Sequence, residues 1–252
     1  MRKDDSVRIA QISDCHVSAV PGAMYRGIDP RAELERLWPS VGDFDPDLLL
    51  ITGDLAEDAG ENAYRYLAGI FAERGVPVLT LPGNHDDPRT QAAVFHRTAS
   101  HTPLVHDADG WRLLLLDSTR PGLIGGRLDR DQLDSVTAAL AGHDGPALVA
   151  LHHQPMPVGS SWIDRYALED GEAFQAMVRE HPNVRVVSWG HVHQSFEVVD
   201  EGVRWLGTPS SAINSKPGCE RFTPDGKGPA WRWLKLGRDG KVQTGIAGPG
   251  TS

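Results

Sequence analysis

The sequence has little cysteine and no long apolar run, and each shortage excludes a class of protein. Only two residues are cysteines, Cys15 and Cys219, so no disulfide framework is expected. The purest apolar runs, residues 48–51 and 113–116, are far shorter than the ~20 residues that span a bilayer. The start of the sequence lacks the stretch of about 7 to 15 apolar residues that a signal peptide needs. We therefore expect a soluble, cytoplasmic protein that has no membrane partner.

The sequence also lacks the basic character that nucleic-acid binding requires. It has 25 Lys and Arg against 34 Asp and Glu, a net charge of -9, so a nucleic-acid partner is not expected. With 40% hydrophobic residues the chain can bury a sizeable core. No internal repeat or linker divides the 252 residues, which predicts a single domain over residues 1–252. Whether the chain forms a homo-oligomer stays open.

Short apolar runs alternate with amphipathic segments through most of the chain. The runs are rich in Val, Ile or Leu, which is typical of strands buried on both faces. They comprise residues 7–12, 48–51, 76–81, 111–116, 147–151 and 184–189. Apolar residues at helical spacing lie between them, in residues 34–41, 133–140 and 174–181. This alternation of strand and helix predicts an α/β architecture.

The last part of the chain has a different pattern. Short strand candidates follow one another with glycine and aspartate turns and without a helix, which predicts antiparallel strands that extend or cover the earlier layers. These candidates are residues 196–199, 203–206, 231–236 and 241–243. The loop over residues 210–229 is long, and loops of this length are often functional. Residues 194–252 are therefore interpreted as C-terminal strands with a loop on the substrate side.

Side chains that commonly bind metals follow five of the predicted strands. The motifs are Asp14-Cys15-His16, Gly53-Asp54, Gly83-Asn84-His85-Asp86, His152-His153 and Gly190-His191-Val192-His193. In an open α/β sheet the ligand crevice lies beyond the carboxyl ends of the strands. We therefore expect these five motifs to meet in one site.

Taken singly, each motif also has a simpler explanation. Aspartate is common in turns, and Gly53-Asp54 is a frequent turn dipeptide. The adjacent His152 and His153 point to opposite faces if they continue the strand, so at most one of them is expected in the site. Five such motifs at five strand ends are more than turn chemistry explains.

The combined donor set contains nitrogen and oxygen ligands but no thiolate. It consists of Asp14, His16, Asp54, Asn84, one of His152 and His153, His191 and His193. Such ligands suit Mn, Fe, Zn or Co ions. The set is too large for one tetrahedral ion with an open position, but it suffices for two ions if one carboxylate bridges them. Two ions about 3.5 to 4 Å apart are typical of phosphoryl-transfer sites.

In order and spacing these motifs resemble those of the calcineurin-like metallophosphoesterases. That family has D-x-H, G-D, G-N-H-D/E, a histidine at a strand end and G-H-x-H, and the resemblance covers residues 14–193. It implies a four-layer α/β/β/α sandwich, in which two mixed β-sheets are flanked by helices. Within the family the chain looks like the class III cyclic nucleotide phosphodiesterases, and most like the bacterial members that hydrolyse 3′,5′-cyclic AMP. Residues 151–157, 161–164 and 208–232 carry this closer likeness.

The resemblance implies a role for each motif residue. One metal ion would be held by Asp14, His16, Asp54 and His193. The other would be held by Asp54, Asn84, His152 and His191, with Asp54 as the bridge. The family motif places the first histidine of the pair on the metal, which favours His152. Asn84 and His85 would contact the substrate phosphate, and His85 would be the catalytic residue that stabilises charge or protonates the leaving alkoxide.

The resemblance further implies an enzyme that hydrolyses phosphodiester bonds. Its substrate would be a 3′,5′-cyclic nucleotide, cyclic AMP first, its product the 5′-monophosphate and its nucleophile a hydroxide held by the two ions. One alternative is a broader phosphodiesterase or phosphatase that acts on 2′,3′-cyclic nucleotides, glycerophosphodiesters or phosphomonoesters. Another is a non-catalytic interaction scaffold of the same fold, which would be expected to have lost ligands, yet every ligand is present.

A few other polar residues carry weaker expectations. Asp86 is predicted either to orient the imidazole of His85 or to lie in a solvated turn or helix cap. The acidic pair Glu57 and Asp58 is expected on the solvated surface. Three loop residues are candidates for contact with a nucleotide: Trp162, Asn214 and Lys216.

Overall fold

The computed structural model describes residues 6–250. Its strands are β1 (Ser6–Ile12), β2 (Leu48–Thr52), β3 (Val78–Leu81), β4 (Leu104–Ala108), β5 (Trp111–Leu115), β6 (Ala147–Leu151), β7 (Val184–Trp189), β8 (Phe196–Asp200), β9 (Val203–Gly207), β10 (Trp231–Gly237) and β11 (Val242–Ala247). Its helices are α1 (Pro30–Phe44), α2 (Glu61–Ala72), α3 (Pro88–Val94), α4 (Arg130–Ala141), α5 (Ser161–Asp164) and α6 (Gly171–Arg179). In the described chain no helix is long and apolar enough to cross a membrane.

The strands form two mixed sheets. In the first, the order is β11-β10-β1-β2-β3, with β1, β2 and β3 parallel and β10 antiparallel to both of its neighbours. In the second, the order is β4-β5-β6-β7-β9-β8, with β5, β6, β7 and β9 parallel. This topology confirms the two mixed sheets that the sequence resemblance implied.

The two sheets pack face to face, and helices cover both outer surfaces. Buried residues of β1 and β2, such as Ile9 and Leu50, share one core with Leu113 of β5 and Leu148 of β6. On the other side of the first sheet, α1 and α2 supply a second core. On the other side of the second sheet, α4 and α6 supply a third. The predicted four-layer α/β/β/α sandwich is therefore confirmed.

Local sequence explains where the first helix begins. The carboxylate of Asp29 accepts a hydrogen bond of 2.9 Å from the backbone N–H of Arg31, and Pro30 occupies the first turn. A side-chain cap followed by proline is a common helix start because both suit the free N–H groups of the first turn. Asp29 and Pro30 therefore explain why α1 begins where it does.

Several parts of the fold differ from the sequence expectations. The edge strand β4 was not predicted, since its residues are only half-buried or exposed and form no apolar run. Helix α2 was also missed, although Ala63, Tyr64, Leu67 and Phe71 form its buried face. The expectation of antiparallel C-terminal strands is wrong for one pair, because β9 runs parallel to β7 while it pairs antiparallel with β8.

The position of β9 has a simple physical reason. Val203, Trp205 and Leu206 are buried, so β9 takes the inner position beside β7. Strand β8 has mostly exposed side chains and takes the edge of the sheet. Burial therefore determines the order of β8 and β9 in the sheet. The hairpin that they form folds back, so that β9 lies beside β7 and β8 lies at the edge.

Candidate metal centre

The five polar motifs meet at the carboxyl ends of β1, β2, β3, β6 and β7, where the two sheets adjoin. The backbone N–H of Asp14 donates to the carbonyl of Gly53 at 3.0 Å, and that of Gly190 donates to the carbonyl of His152 at 3.2 Å. Three groups of candidate ligand atoms, each with all its atoms within 4.8 Å of one another, overlap here: Asp14 with His16 and His193, Asp14 with Asp54 and His152, and His152 with His153 and His191.

Two glycines allow this close approach of loops. A Cβ atom on Gly83 would lie 2.2 Å from Oδ1 of Asp54. A Cβ atom on Gly190 would lie 2.0 Å from Oγ of Ser13. Any larger residue would therefore displace a side chain or the backbone that carries the candidate ligands. Packing therefore requires glycine at the first position of both motifs, at Gly83 and at Gly190.

Five predicted ligands have left-handed backbone conformations. Their φ angles are 52° at Asp14, 47° at His16, 50° at Asp54, 65° at His191 and 47° at His193. Such conformations cost about 1 to 3 kcal/mol each in residues other than glycine, and they concentrate at functional sites. Local hydrogen bonds stabilise such conformations. For example, the N–H of His191 donates to the carboxylate of Asp14 at 3.0 and 3.1 Å.

Hydrogen bonds to one ring nitrogen orient the histidines. Nδ1 of His152 lies 2.8 Å from the carbonyl oxygen of Thr52, and Nδ1 of His193 lies 2.8 Å from that of Ile213. A carbonyl oxygen only accepts, so Nδ1 carries a hydrogen, and the ring presents a lone pair at Nε2 once that nitrogen is unprotonated. This is the arrangement in which histidine binds a metal ion while a neighbour fixes its orientation.

On one side of the cluster, two such lone pairs face each other. Nε2 of His16 lies 3.1 Å from Nε2 of His193. Nδ1 of each ring already has a partner: Glu57 at 2.7 Å for His16 and Ile213 for His193. Two facing lone pairs are unfavourable unless a cation or a proton lies between or beside them. The pair therefore fits the electrostatic requirement of a metal site.

On the other side of the cluster, buried polar atoms have no hydrogen-bond partner within residues 6–250. These atoms are Oδ1 of Asn84, Nε2 of His152 and Nε2 of His191. An unsatisfied buried polar atom is costly, and most such atoms in proteins do have a partner. All three belong to the ligand set that the resemblance implies for the second ion, so this set too fits a bound cation.

The two carboxylates are held in their charged form. Burial acts to raise the pKa of Asp54, but the adjacent His152 and His16 outweigh it and hold that pKa well below its usual range. Burial also opposes ionisation of Asp14, and His193 more than compensates, so that its pKa is lowered. Burial likewise holds the pKa of His191 well below its usual value. Charged carboxylates and a neutral imidazole are the protonation states that metal binding requires.

His152 and His153 have different environments. Both follow the last residue of β6. Nε2 of His152 is unpaired and lies 3.4 Å from Oδ2 of Asp54. Both nitrogens of His153 have protein partners, the hydroxyl of Ser118 at 2.8 Å and the carbonyl of Ile124 at 2.9 Å. His152 therefore has the free nitrogen, and His153 fastens the loop that follows β5.

The position of Glu57 differs from the sequence expectation. It was expected on the solvated surface, but its carboxylate lies 2.7 Å from Nδ1 of His16 and 3.2 Å from Nδ1 of His85. One acidic group thus touches a predicted metal ligand and the predicted catalytic histidine. In the sequence, the only indication of this role is that Glu57 lies in the turn that begins with Asp54.

Asp86 has neither of the two predicted roles. Its carboxylate accepts hydrogen bonds from the N–H groups of Gly83, Leu55 and Ala56 and from the hydroxyl of Tyr64. Burial, and then the charge of Asp54, raise its pKa to about 6. Asp86 therefore joins the loop after β3 to the loop after β2, and so helps to place Asn84 and His85.

The three loop candidates for nucleotide contact differ in position. The ring of Trp162 lies 6.4 Å from that of His193, beside the site. Asn214 is buried and hydrogen-bonds to Ser210 and Gly228, so it holds the loop over residues 210–229 together. Lys216 is exposed. Of the three, only Trp162 is in ring contact with a predicted ligand.

The chain belongs to the calcineurin-like phosphoesterases, because the model of that family matches residues 7–195. It is 35% identical over 247 residues to the 3′,5′-cyclic adenosine monophosphate phosphodiesterase CpdA of Pseudomonas aeruginosa, across 97% of this chain and 90% of that protein. It is 36% identical over 248 residues to CpdA of Escherichia coli strain K12, across 95% of this chain and 89% of that protein. The predicted family is thereby confirmed, as is the enzyme class of hydrolases acting on phosphodiester bonds.

Solved structures agree with the fold. A dimetal phosphatase from Danio rerio superposes with a TM-score of 0.71 at 16% identity, covering 98% of this chain and 100% of that one. The purple acid phosphatase PPD1 from yellow lupin superposes with a TM-score of 0.67 at 14% identity, covering 98% of this chain and 54% of that one. At such identities the likeness concerns the fold alone. The clustered donors and the family together support a pair of divalent metal ions.

Proposed function

We propose that this protein hydrolyses 3′,5′-cyclic nucleotides, cyclic AMP first, to 5′-nucleoside monophosphates. The observation that carries the proposal is the complete set of metal donors at one edge of the sandwich, with His85 beside it. Relatives that bear the name 3′,5′-cyclic AMP phosphodiesterase match nearly the whole chain, which supports the choice of substrate. We also propose a cytoplasmic location, because both cysteines are free thiols.

The proposed ligands divide into two sets that share Asp54. The first set is Asp14, His16, Asp54 and His193, and the facing nitrogens of His16 and His193 support it. The second set is Asp54, Asn84, His152 and His191, and the unpaired buried atoms of the last three support it. Fe, Mn, Zn or Co ions suit these donors. Two such ions, when bound, supply positive charge to the phosphoryl oxygens and lower the pKa of the attacking water.

The chain's own residues position the phosphate and move the proton. Asn84 and His85 border the donor cluster, and the backbone N–H of His85 donates to Oδ1 of Asp54 at 2.9 Å, which fixes that loop. Opening the cyclic phosphate breaks the bond between phosphorus and the 3′ oxygen, and this oxygen must gain a proton. His85 supplies it from Nε2, while the carboxylate of Glu57 lies 3.2 Å from Nδ1 on the other side of the ring.

A comparison of substrates tests this proposal. The purified protein is stripped with a chelator, reloaded with Mn²⁺, and assayed with cyclic AMP, cyclic GMP, 2′,3′-cyclic AMP, a glycerophosphodiester and a phosphomonoester. We expect the highest kcat/KM for cyclic AMP. A higher kcat/KM for the phosphomonoester or for the glycerophosphodiester would favour the broader phosphatase or phosphodiesterase. Failure to hydrolyse even bis(p-nitrophenyl) phosphate would favour a non-catalytic scaffold.

A further inference from the structure

A cavity of about 740 Å³ opens beside Asn84. One wall is the start of α3 with the turn before it, including Asn84 and Arg89. The facing wall is the loop that follows β5, including Asp117, Thr119 and Arg120. Ligand pockets for small molecules are commonly about 300 to 1,000 Å³, so the cavity has room for a nucleoside. Because Asn84 is a proposed phosphate contact, the cavity starts where the substrate phosphate would lie.

Asp117 presents a fixed acceptor to this cavity. Its backbone N–H donates to Oε1 of Gln132 at 2.9 Å, and its carbonyl accepts from Nε2 of the same side chain at 2.8 Å. Its Oδ1 accepts from the N–H and the hydroxyl of Thr119, at 2.9 and 2.6 Å. Its Oδ2 accepts no hydrogen bond from any residue between 6 and 250, although Asp117 is only 8% exposed. One carboxylate oxygen is therefore held in place and reaches solvent through the cavity, where a ligand can replace water.

Hydrogen bonds connect the wall that carries Asp117 to the candidate metal centre. The hydroxyl of Ser118 lies 2.8 Å from Nδ1 of His153, and Nε2 of His153 lies 2.9 Å from the carbonyl oxygen of Ile124. His153 follows His152 directly, so the position of this wall is tied to that of a proposed metal ligand. A preorganised wall loses little entropy when a ligand binds, which favours affinity and specificity.

On the opposite side of the site, aromatic side chains fill the space themselves. The ring of Tyr25 stacks on that of His16 at 4.0 Å, and the ring of Trp162 packs edge-on against Phe222 at 5.2 Å. The guanidinium of Arg26 lies over the ring of Phe222, 4.2 Å from its centroid. A base is therefore accommodated more readily in the open cavity beside Asn84 than among these rings.

We propose that this cavity binds the nucleoside of the substrate and that Oδ2 of Asp117 accepts a hydrogen bond from the exocyclic amino group of adenine. This inference rests on the proposed function. Guanine in the same orientation carries a carbonyl oxygen where adenine carries the amino group. An acceptor would then face a carboxylate, and Oδ2 would gain no hydrogen bond from that position of the base. A site built around one hydrogen bond rejects a ligand that cannot make it, so Asp117 selects adenine over guanine.

The test measures kcat/KM for cyclic AMP and cyclic GMP in the metal-loaded wild type and in Asp117→Asn. The amide can donate to the guanine oxygen, so the ratio of the two values is expected to fall at least about tenfold, mainly through KM. Asp134→Asn is the matched control, because Asp134 lies on the exposed face of α4. It is expected to leave the ratio unchanged. Hydrolysis of bis(p-nitrophenyl) phosphate, which has no base, reports whether each variant keeps a working metal centre.

A second variant covers the case that Asp117→Asn does not fold. Thr119→Val removes the hydroxyl that holds Oδ1, and we expect it to lower the same ratio, though by less. Unchanged ratios in both variants would overturn the inference and leave the proposed function intact. A ratio that changes in Trp162→Leu but not in Asp117→Asn would place the base among the aromatic rings and also overturn it. A wild type that cleaves bis(p-nitrophenyl) phosphate but no cyclic nucleotide would overturn both proposals.

Discussion

The carboxylate of Glu57 lies 3.2 Å from Nδ1 of His85. The same carboxylate oxygen lies 2.7 Å from Nδ1 of His16. Carboxylates that hydrogen-bond a metal-ligating histidine orient its ring and increase its basicity, and here one group does this while it also contacts the predicted proton donor. In the proposed mechanism, Glu57 would therefore link the binding of the first metal ion to the protonation of the leaving oxygen.

We expect Glu57→Gln to lower both the affinity for metal and the rate of hydrolysis. The amide keeps the size of the side chain but loses the charge, so metal affinity should fall about ten- to a hundredfold, as for other residues that support metal ligands. The rate at saturating metal should fall as well, because the protonated His85 loses its partner. Metal titration followed by kcat measurement separates the two effects. Asp58→Asn, which changes the exposed neighbour, should alter neither. Equal metal affinity in the wild type and Glu57→Gln would contradict this account.

His85→Ala is expected to keep its metal ions and to react slowly. His85 lies outside the proposed ligand sets, and removal of a general acid lowers the rate by at least about a hundredfold. Metal content is measured by elemental analysis and kcat with 3′,5′-cyclic AMP, whose leaving alkoxide needs a proton. A variant with full metal content and the wild-type rate would remove His85 from the mechanism.

The stability of the metal-free protein and its affinity for metal should both depend on pH because of His152. Burial acts to lower the pKa of this residue, but Asp54 outweighs burial and raises it to about 9. A raised histidine pKa stabilises the fold below the unfolded pKa of about 6.5, and this stabilisation is lost as the pH rises toward 9. Over the same window the proton competes less with metal. We therefore expect apparent metal affinity to increase by up to about tenfold per pH unit between pH 6.5 and 9.

Two measurements check this pH dependence. Competition with a chelator at several pH values gives the metal affinity, and urea unfolding of the stripped protein gives its stability. Metal affinity that is constant from pH 6.5 to 9 would show that His152 does not carry the competing proton.

Gly190→Ala should destabilise the protein even without metal. The added Cβ would lie 2.0 Å from Oγ of Ser13 and 2.7 Å from the carbonyl oxygen of Thr52. Relief of such overlap costs about 1 to 3 kcal/mol or more, because the backbone on both sides must move. Gly69→Ala is the matched control, since Gly69 is exposed within α2 and its Cβ would meet nothing within 4 Å. We expect it to stabilise the helix by about 0.5 to 1 kcal/mol. Urea unfolding of both stripped variants measures the difference, and equal stabilities would contradict the packing argument.

Much of the fold was predictable because its strands are buried on both faces. The runs that became β2 and β6 are continuous apolar segments, those of β1 and β7 are mostly apolar, and a polar motif follows each of the four. The edge strand β4 has no such run, because its side chains pack on one face only and include His106 and Asp107. Local composition therefore identifies the centre of a sheet better than its edge.

The candidate ligands were predictable, whereas the residues that support them were not. Asp14, His16 and Asp54 stand in short motifs whose order along the chain is informative. Glu57 and Asp86 act through contacts that form only when two loops are folded together, and a turn-like sequence gives no sign of a partner 31 residues away. The same holds for Asp117, whose free oxygen is a property of its surroundings.

The most direct test of the central claim is to identify the product of cyclic AMP hydrolysis. The metal-loaded wild type and Asp54→Ala are incubated with 3′,5′-cyclic AMP, and the nucleotides are separated by chromatography. We predict that the wild type forms 5′-AMP and that Asp54→Ala, which lacks the bridging carboxylate, loses metal and activity together. Formation of 3′-AMP, no consumption of cyclic AMP by the metal-loaded wild type, or full activity in Asp54→Ala would contradict the account.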